Sequence, residues 1–138
     1  GFRAPPPPVT PGSASRMRSD ENLLHLQGEN TRSRHSSQLV VTLDGQLRLV
    51  NRFHQTTRIK IPGPQLEQLL ALNRELFREE IEISYPGTNQ DGNDYLLTVQ
   101  NPYSSGQSKK IHAAAGGALP EELTRVIALL EQITGKPF

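Results

Sequence analysis

The chain divides into a polar first quarter and a longer remainder with regular apolar spacing. Large apolar side chains are few up to Ser37, whereas Leu, Ile and Val recur at short intervals from Gln38 onward. A segment this poor in apolar residues cannot offset the entropy that it loses on ordering. We therefore predict a disordered tether over residues 1–37 and a single folded domain over residues 38–138.

One apolar island interrupts the polar quarter, at Leu23, Leu24 and Leu26. It is expected to form a transient helix, or alternatively to dock on the domain as a helix or an edge strand. On the first expectation the domain is indifferent to removal of residues 1–35, with a shift in the unfolding midpoint of no more than a few degrees.

Alternation of apolar and polar residues predicts three strands at the start of the domain. Residues 38–43 and 46–52 flank Asp44-Gly45, a dipeptide typical of hairpin turns because both turn positions need positive φ. Alternating apolar residues at 57–61 indicate a third strand that ends at Pro62. In the second strand Leu47 and Leu49 are expected to be buried.

The later spacing predicts two helices and three more strands. Apolar residues recur at helical intervals over residues 64–79 and again between Pro120 and Gly135. Strands are predicted around 81–85, 95–100 and 109–113. The fold class is therefore α+β, an antiparallel sheet in β-β-β-α-β-β-β-α order with two helices packed on one face. The expected helix stripes are Leu66, Leu69, Leu70, Leu76 and Phe77, then Leu123, Val126, Ile127, Leu130 and Ile133.

Proline is concentrated at the start of the chain, where five of the eleven prolines lie within the first eleven residues. Pro5 to Pro8 favour polyproline II, and a semi-rigid spacer is preferred here to an SH3-type ligand. One interpretation is the tether of a mature bacterial lipoprotein, with a lipid-bearing cysteine just upstream of Gly1. The alternative is that Met17 is the natural start and that residues 1–16 come from a vector.

Charge and cysteine content exclude several classes of function. The absence of cysteine removes disulfides, zinc–thiolate sites and thiol catalysis. From residue 38 onward ten basic residues stand against eleven acidic ones, so no broad phosphate-binding footprint is expected and nucleic acid is disfavoured as a partner. No apolar run approaches the roughly 18 residues of a membrane span.

No arrangement of polar residues predicts an active site. The four histidines, His25, His35, His54 and His112, lie in separate segments without metal-ligand spacing, and no nucleophile elbow is present. We therefore expect no catalysis, no cofactor, no metal and no small-molecule substrate.

Three further segments have both a binding interpretation and a structural one, and the structural one is preferred for each. The loop from Asn89 to Asp94 is rich in oxygen ligands but lacks the glycine and glutamate spacing of a calcium loop, so a polar turn is expected. Residues 113–118 precede a helix without a phosphate-binding motif, and a flexible connection is expected. Lys109 and Lys110 are expected on a solvated strand face.

Tyr103 is the one residue predicted to bind a partner. It follows Pro102 in a turn and precedes two serines, which favours exposure. An exposed aromatic in a loop is a candidate anchor for a protein partner. The alternative is that its ring packs over the edge of the core.

The last fifty residues resemble the emfourin-type protease inhibitors, small bacterial proteins that bind thermolysin-like metalloproteases. The resemblance lies in Asn93-Asp94-Tyr95-Leu96-Leu97-Thr98-Val99, in the turn and strand that follow to Ile111, and in Leu119-Pro120-Glu121-Glu122-Leu123. It covers about a third of the chain and leaves out the N-terminal arm. No inhibitory residue can be matched, and unrelated small envelope lipoproteins share much of this pattern.

These observations lead to two expectations about function. The first is a non-catalytic bacterial envelope lipoprotein on the periplasmic side, held to the membrane through a lipid anchor upstream of Gly1. Its domain would bind another envelope protein, as an accessory or pilot of an envelope assembly. The alternative, implied by the resemblance, is an emfourin-like inhibitor of a thermolysin-type metalloprotease.

Overall fold

The structure is a computed structural model that describes residues 18–88, 91–103 and 106–135. Within these ranges the chain forms seven strands and two helices. The strands are β1 (Asn22–Asn30), β2 (Ser36–Thr42), β3 (Gln46–Val50), β4 (Thr56–Lys60), β5 (Ser84–Tyr85), β6 (Asn93–Gln100) and β7 (Ser108–Ala113). The helices are α1 (Gly63–Glu75), which lies between β4 and β5, and α2 (Glu121–Thr134).

All seven strands belong to one sheet, in the order β4-β3-β2-β1-β6-β7-β5. Every neighbouring pair is antiparallel except β5 and β7, which run parallel with Ser84 opposite His112. The predicted α+β class is confirmed. The sheet is mixed rather than wholly antiparallel, because the chain returns from α1 to the edge of the sheet beside β7.

β1 is the strand that the sequence analysis missed. It lies in the centre of the sheet, paired with β2 on one side and β6 on the other. Leu23, Leu24 and Leu26 are 0%, 1% and 0% exposed. The domain boundary predicted at residue 38 is therefore wrong, and so is the expected indifference to loss of residues 1–35. The remainder of the predicted tether, residues 1–17, lies outside the described residues.

The physical reason for this error is that a strand covered on one face needs apolar side chains at alternate positions only. Leu24 and Leu26 face the helices, whereas His25 and Gln27 lie on the other face. Three leucines among residues 1–37 give the polar quarter a low average apolar content, which does not indicate a folded segment. Their spacing, rather than their number, was the informative signal.

Both helices pack on the same face of the sheet and share one core with it, as predicted. Leu69 and Leu76 from the α1 segment, and Leu123 and Leu130 from α2, are fully or almost fully buried. The inward side chains of the strands complete this core, and the predicted burial of Leu47 and Leu49 is confirmed. The other buried core residues of the strands are Leu23, Leu24, Leu26, Leu39, Val41, Leu97, Val99, Ile111 and Ala113.

Two predicted elements are shorter than their apolar patterns suggested. α1 ends at Glu75 rather than near residue 79, and Leu76 is its C-terminal cap residue. The strand expected over residues 81–85 is reduced to the two residues of β5, and Ile83 before it is 64% exposed. Ile81 is buried against the core, so alternation alone overestimated the length of the strand.

The connection from β7 to α2 is packed against the rest of the chain rather than flexible as predicted. Thr88 donates its N–H to the carbonyl of Ala115 at 3.0 Å, and Ala114 donates to Tyr85 at 3.0 Å. A Cβ atom on Gly87 would lie 2.3 Å from the oxygen of Ala115, and one on Gly117 would lie 2.2 Å from the oxygen of Pro86. These two glycines therefore allow a close backbone contact that no larger residue permits.

The first prediction tests whether β1 is part of the core. Leu26→Ala removes a fully buried side chain and should lower the free energy of unfolding by about 2–5 kcal/mol. Leu96→Ala, a matched control on the other face of the neighbouring strand, should cost less than about 1 kcal/mol. Urea unfolding of both variants measures the difference. Equal costs would contradict the position of β1 and the assignment of the two faces.

The second prediction concerns the close contact at Gly87. Gly87→Ala forces the backbone of residue 87 or 115 to move and should destabilise the protein by about 1–3 kcal/mol. Gly63→Ala is the control, because no atom beyond its two chain neighbours lies within 4 Å of its added Cβ. The residue before Pro64 is disfavoured in helical conformation when it has a Cβ, so Gly63→Ala should cost a little, but less than about 1 kcal/mol. Thermal unfolding that shows no loss for Gly87→Ala would refute the contact.

Candidate binding surface

One face of the sheet is left uncovered by the described elements, since both helices pack on the other. A complete row of side chains crosses this face from β4 to β7, each directly opposite the next in the strand register. We call it the basic row, because it contains three cations, one histidine and no acid. Its members, in order, are Arg58, Arg48, Val40, His25, Thr98 and Lys110.

The basic row begins with two arginines directly opposite each other, Arg58 on β4 and Arg48 on β3. Like charges in this position destabilise an antiparallel pair. The other arginines of the described ranges that form ion pairs lie elsewhere, and among the described residues neither Arg48 nor Arg58 has an acidic partner within 4.0 Å. The pair is therefore unfavourable for the fold and available to an anionic ligand.

A pocket of about 310 Å³ lies beside the two arginines on the uncovered face. Besides Arg48 and Arg58 it is lined by Asn22, Val40, Thr42, Gln46 and Leu47. A guanidinium group presents several N–H donors in one plane, which suits carboxylate and phosphate oxygens. The side chains at this end of the face are therefore chemically suited to an anion, with Val40 as an apolar neighbour.

Asp44, in the turn between β2 and β3, is engaged with its own turn and forms no ion pair with either arginine. The Thr42 hydroxyl donates a hydrogen bond to the Asp44 carboxylate, and this bond is the main reason why the pKa of Asp44 is lowered. Lys60 donates its ammonium to the backbone oxygen of Asp44 at 2.6 Å. Lys60 is thereby held at the end of the sheet, and Arg48 and Arg58 keep their positive charge exposed.

A second pocket, of about 370 Å³, lies at the opposite end of the strands between two turns. Its walls include Asn30 and Asn51, and its rim carries Phe53 with the Arg52 guanidinium 4.8 Å from the ring centre. The Oδ1 atoms of both asparagines accept N–H groups of their own turns. These side chains therefore hold the two turns in place.

Tyr103, the predicted partner anchor, lies away from the basic row. Its ring is 58% exposed, and the guanidinium of Arg74 from α1 lies 5.3 Å from the ring centre. The adjacent Asn73 is fully buried and donates its Nδ2 to the carbonyl of Gln100 at 2.8 Å. The Tyr103 turn is thus fixed on the helix side of the sheet, and its role in binding stays a prediction.

The histidines are not brought together. His25 and His112 lie on the uncovered face in different rows, whereas His35 and His54 lie in two turns. In the described ranges no group of three His, Cys, Asp or Glu side chains is placed to hold a metal ion.

The described part of the loop from Asn89 to Asp94 has a structural role. Asn89 lies outside the described residues, but Asp94 accepts the N–H of Ala115 at 2.8 Å and Asp91 lies 3.6 Å from Arg32.

Lys109 and Lys110 were both predicted on a solvated strand face; the prediction is confirmed for Lys110 and wrong for Lys109. Lys110 is exposed in the basic row, as expected. Lys109 points to the other face, where its ammonium donates to the carbonyl of Arg78 at 3.1 Å and also to that of Ile81. Burial lowers the pKa of Lys109, with an opposing contribution from Glu80. Lys109 is therefore a structural residue that stabilises the turn after α1.

No family model matches the chain, and no curated protein matches it either. The resemblance to emfourin-type inhibitors, together with the inhibitory function that it implies, therefore stays a prediction.

The basic row was missed because each of its residues is an ordinary polar position in an alternating strand. The sequence shows Arg48 and Arg58 as two solvated arginines ten residues apart. Only the register of β3 with β4 brings them opposite each other. The signal available in the sequence was the pair of turns that flank β3, which together determine this register.

The third prediction tests whether the arginine pair is unfavourable for folding. Arg58→Glu replaces a repulsive cross-strand pair by an attractive one and should raise the free energy of unfolding by about 0.2–1 kcal/mol at low salt. The gain should shrink at high salt because exposed charges are screened. Arg125→Glu is the control and should lower the free energy of unfolding, since Arg125 forms an ion pair with Glu121 at 2.8 Å. A destabilised Arg58→Glu variant would show that Arg58 has a structural partner.

Proposed function

We propose that this chain is a non-catalytic binding domain of a bacterial envelope lipoprotein, and that it holds another protein against the uncovered face of its sheet. The observation that carries the proposal concerns Arg48 and Arg58 on that face. The two arginines lie opposite each other on neighbouring strands, and neither has an acidic partner among the described residues. A surface that lowers the stability of its own fold by like-charge repulsion is explained when an anionic partner neutralises it.

The dimensions of the face support a macromolecular partner. Five spacings between strands, at about 4.8 Å each, make the basic row roughly 24 Å long. The pocket beside the arginines lies on the uncovered face and is lined by residues of four strands, β1 to β4. Side chains spread over several strands are suited to contacts with a protein surface.

The arrangement of polar groups supports a role in binding rather than in catalysis. The titratable groups with a perturbed pKa in the described ranges are engaged in turns or local ion pairs: Asp44 with Thr42, Arg78 with Glu80, and Lys109 with backbone carbonyls. None of them lines either of the two pockets described above. This is the pattern of a scaffold that presents a surface.

The envelope location and the lipid anchor enter the proposal from the sequence. A run of four prolines, Pro5 to Pro8, has the composition of a semi-rigid spacer between an anchor and a domain. Neither helix in the described part of the chain is long and apolar enough to cross a membrane. A lipobox cysteine encoded directly before Gly1 would support the anchor, and an in-frame vector sequence would remove it.

The fourth prediction tests the binding face in the source organism. A photo-crosslinking amino acid at Val40, in the middle of the basic row, should give a discrete adduct with one envelope protein. The same probe at Ala128, exposed on α2, is the control and should give none. The double variant Arg48→Glu/Arg58→Glu should abolish the Val40 adduct, because the anionic partner is then repelled.

Two results would overturn the proposal. Adducts from Ala128 but not from Val40 would place the partner on the helix side of the domain. A Val40 adduct that persists unchanged in the double variant would show that the two arginines do not contribute to binding.

A further inference from the structure

β4 is an open edge of the sheet beside the arginine pair. It is the terminal strand in the order β4-β3-β2-β1-β6-β7-β5, and no described strand pairs with its outer side. We propose that β4 accepts an extended acidic segment of the partner protein as an additional antiparallel or parallel strand. The inference rests on the proposed function and names the class of partner: a protein segment with carboxylates at alternate positions.

The hydrogen bonds at both ends of β4 show which of its backbone groups are free. Asn51 donates its N–H to Gln55, and Ile61 donates to Gly45, so residues 55 and 61 point their backbone groups toward β3. The pattern alternates along an antiparallel strand. Thr57 and Ile59 therefore pair with β3, whereas the N–H and C=O groups of Thr56, Arg58 and Lys60 point outward. These three residues offer the ladder that an added strand requires.

The same residues present their side chains on the uncovered face. Arg58 lies in the basic row, and Thr56 and Lys60 flank it two positions away on the same side of the strand. A residue on an added strand directly opposite Arg58 would have its Cβ about 5 Å away, within reach of a charged hydrogen bond. Arg48 lies one strand further in and adds its charge to the same site. The edge thus favours a carboxylate both for its negative charge and for its position opposite Arg58.

Charge disfavours the two occupants that this chain itself could supply. A second copy that paired through β4 would bring Arg58 and Lys60 against like charges, and basic edges of this kind oppose self-association. Residues 1–17 contain Arg3 and Arg16 but no acid, and their proline run lacks N–H donors. A separate acidic segment meets neither obstacle.

The opposite edge of the sheet offers no equivalent site. β5 has only two residues, Ser84 and Tyr85. Its neighbourhood contains the acids Glu80 and Glu82, and the Tyr85 hydroxyl accepts the N–H of Glu82 at 2.8 Å. A two-residue edge gives too short a ladder to hold a partner strand. The site is therefore specific to β4.

The test uses the full chain and two synthetic nonapeptides, one alternating threonine with glutamate and one alternating threonine with lysine. The glutamate peptide should bind about tenfold or more tightly than the lysine peptide. At saturation, amide exchange should slow by about tenfold or more at Arg58 and Lys60, because their free N–H groups become bonded. Exchange at Thr57 and Ile59 should change less, since those groups already pair with β3.

Three variants separate charge from backbone pairing. Arg48→Glu/Arg58→Glu should reverse the preference, so that the lysine peptide binds more tightly. Arg58→Ala keeps the outward N–H and should weaken binding of the glutamate peptide. Arg58→Pro removes the outward donor as well and should weaken binding further, whereas Thr57→Pro should instead destabilise the sheet because its N–H faces β3. Circular dichroism verifies that each variant used for binding is folded.

The outcomes that overturn the inference differ from those that overturn the proposed function. Equal affinity for the two peptides, or no binding at about 1 mM, removes the acidic strand. Binding of a single-stranded oligodeoxynucleotide as tightly as the glutamate peptide, without slowed exchange in β4, would assign the charge to general polyanion binding. If either result is obtained while Val40 still crosslinks to a partner, binding at the uncovered face is retained as the proposed function. Only the pairing of a partner strand with β4 is then ruled out.

Discussion

The structure depends on the pairing of β1 in the middle of its sheet. β1 bonds to β2 on one side and to β6 on the other, so it joins the N-terminal hairpins to the C-terminal half of the domain. Its leucines meet both helices in the shared core. Without this strand the sheet would separate into β4-β3-β2 and β6-β7-β5, and the apolar face that both helices cover would be divided.

The sidedness of the sheet follows from that central strand and determines where a partner can bind. Because both helices cover the face of Leu24 and Leu26, no described element covers the face of His25 on the neighbouring strands. The register of β3 with β4 places Arg48 opposite Arg58, and the sequence alone does not reveal this contact. The same order of strands leaves β4 at an edge, so an exposed backbone ladder and an unpaired cationic cluster coincide. Fold and proposed function thus arise from one arrangement.

Local patterns were sufficient to predict most of the elements, and pairing over long distances was not. The hairpin at Asp44-Gly45, the apolar stripe of α2 and the end of α2 at Gly135 follow from spacing and turn chemistry, and the structure contains all three. Of the two turn residues only Gly45 has a positive φ, at 92°, and Leu76 and Phe77 of the first predicted stripe lie beyond the end of α1. β1 was missed because its apolar residues are few and lie in a polar context. The roles of Lys109 and Gly87 depend on contacts with segments about thirty residues away in sequence, which periodicity does not encode.

The position of the candidate surface could not be predicted from the sequence. The absence of any catalytic motif favoured a binding protein, and Tyr103 was chosen because exposed aromatics anchor partners. The structure places Tyr103 on the helix side, against Arg74, whereas the cationic face lies on the other side of the sheet. Such a face is assembled from one residue of each of several strands, so no short stretch of the sequence contains it.

Amide hydrogen exchange on the free full-length chain tests this account most directly, since one experiment reports on both the central strand and the open edge. The account predicts slow exchange at Leu24 and Leu26, comparable to that at Leu97. Along β4 it predicts alternation, with Thr57 and Ile59 protected and Arg58 and Lys60 exchanging rapidly. Rapid exchange at Leu24 and Leu26, or uniform protection along β4, would contradict it.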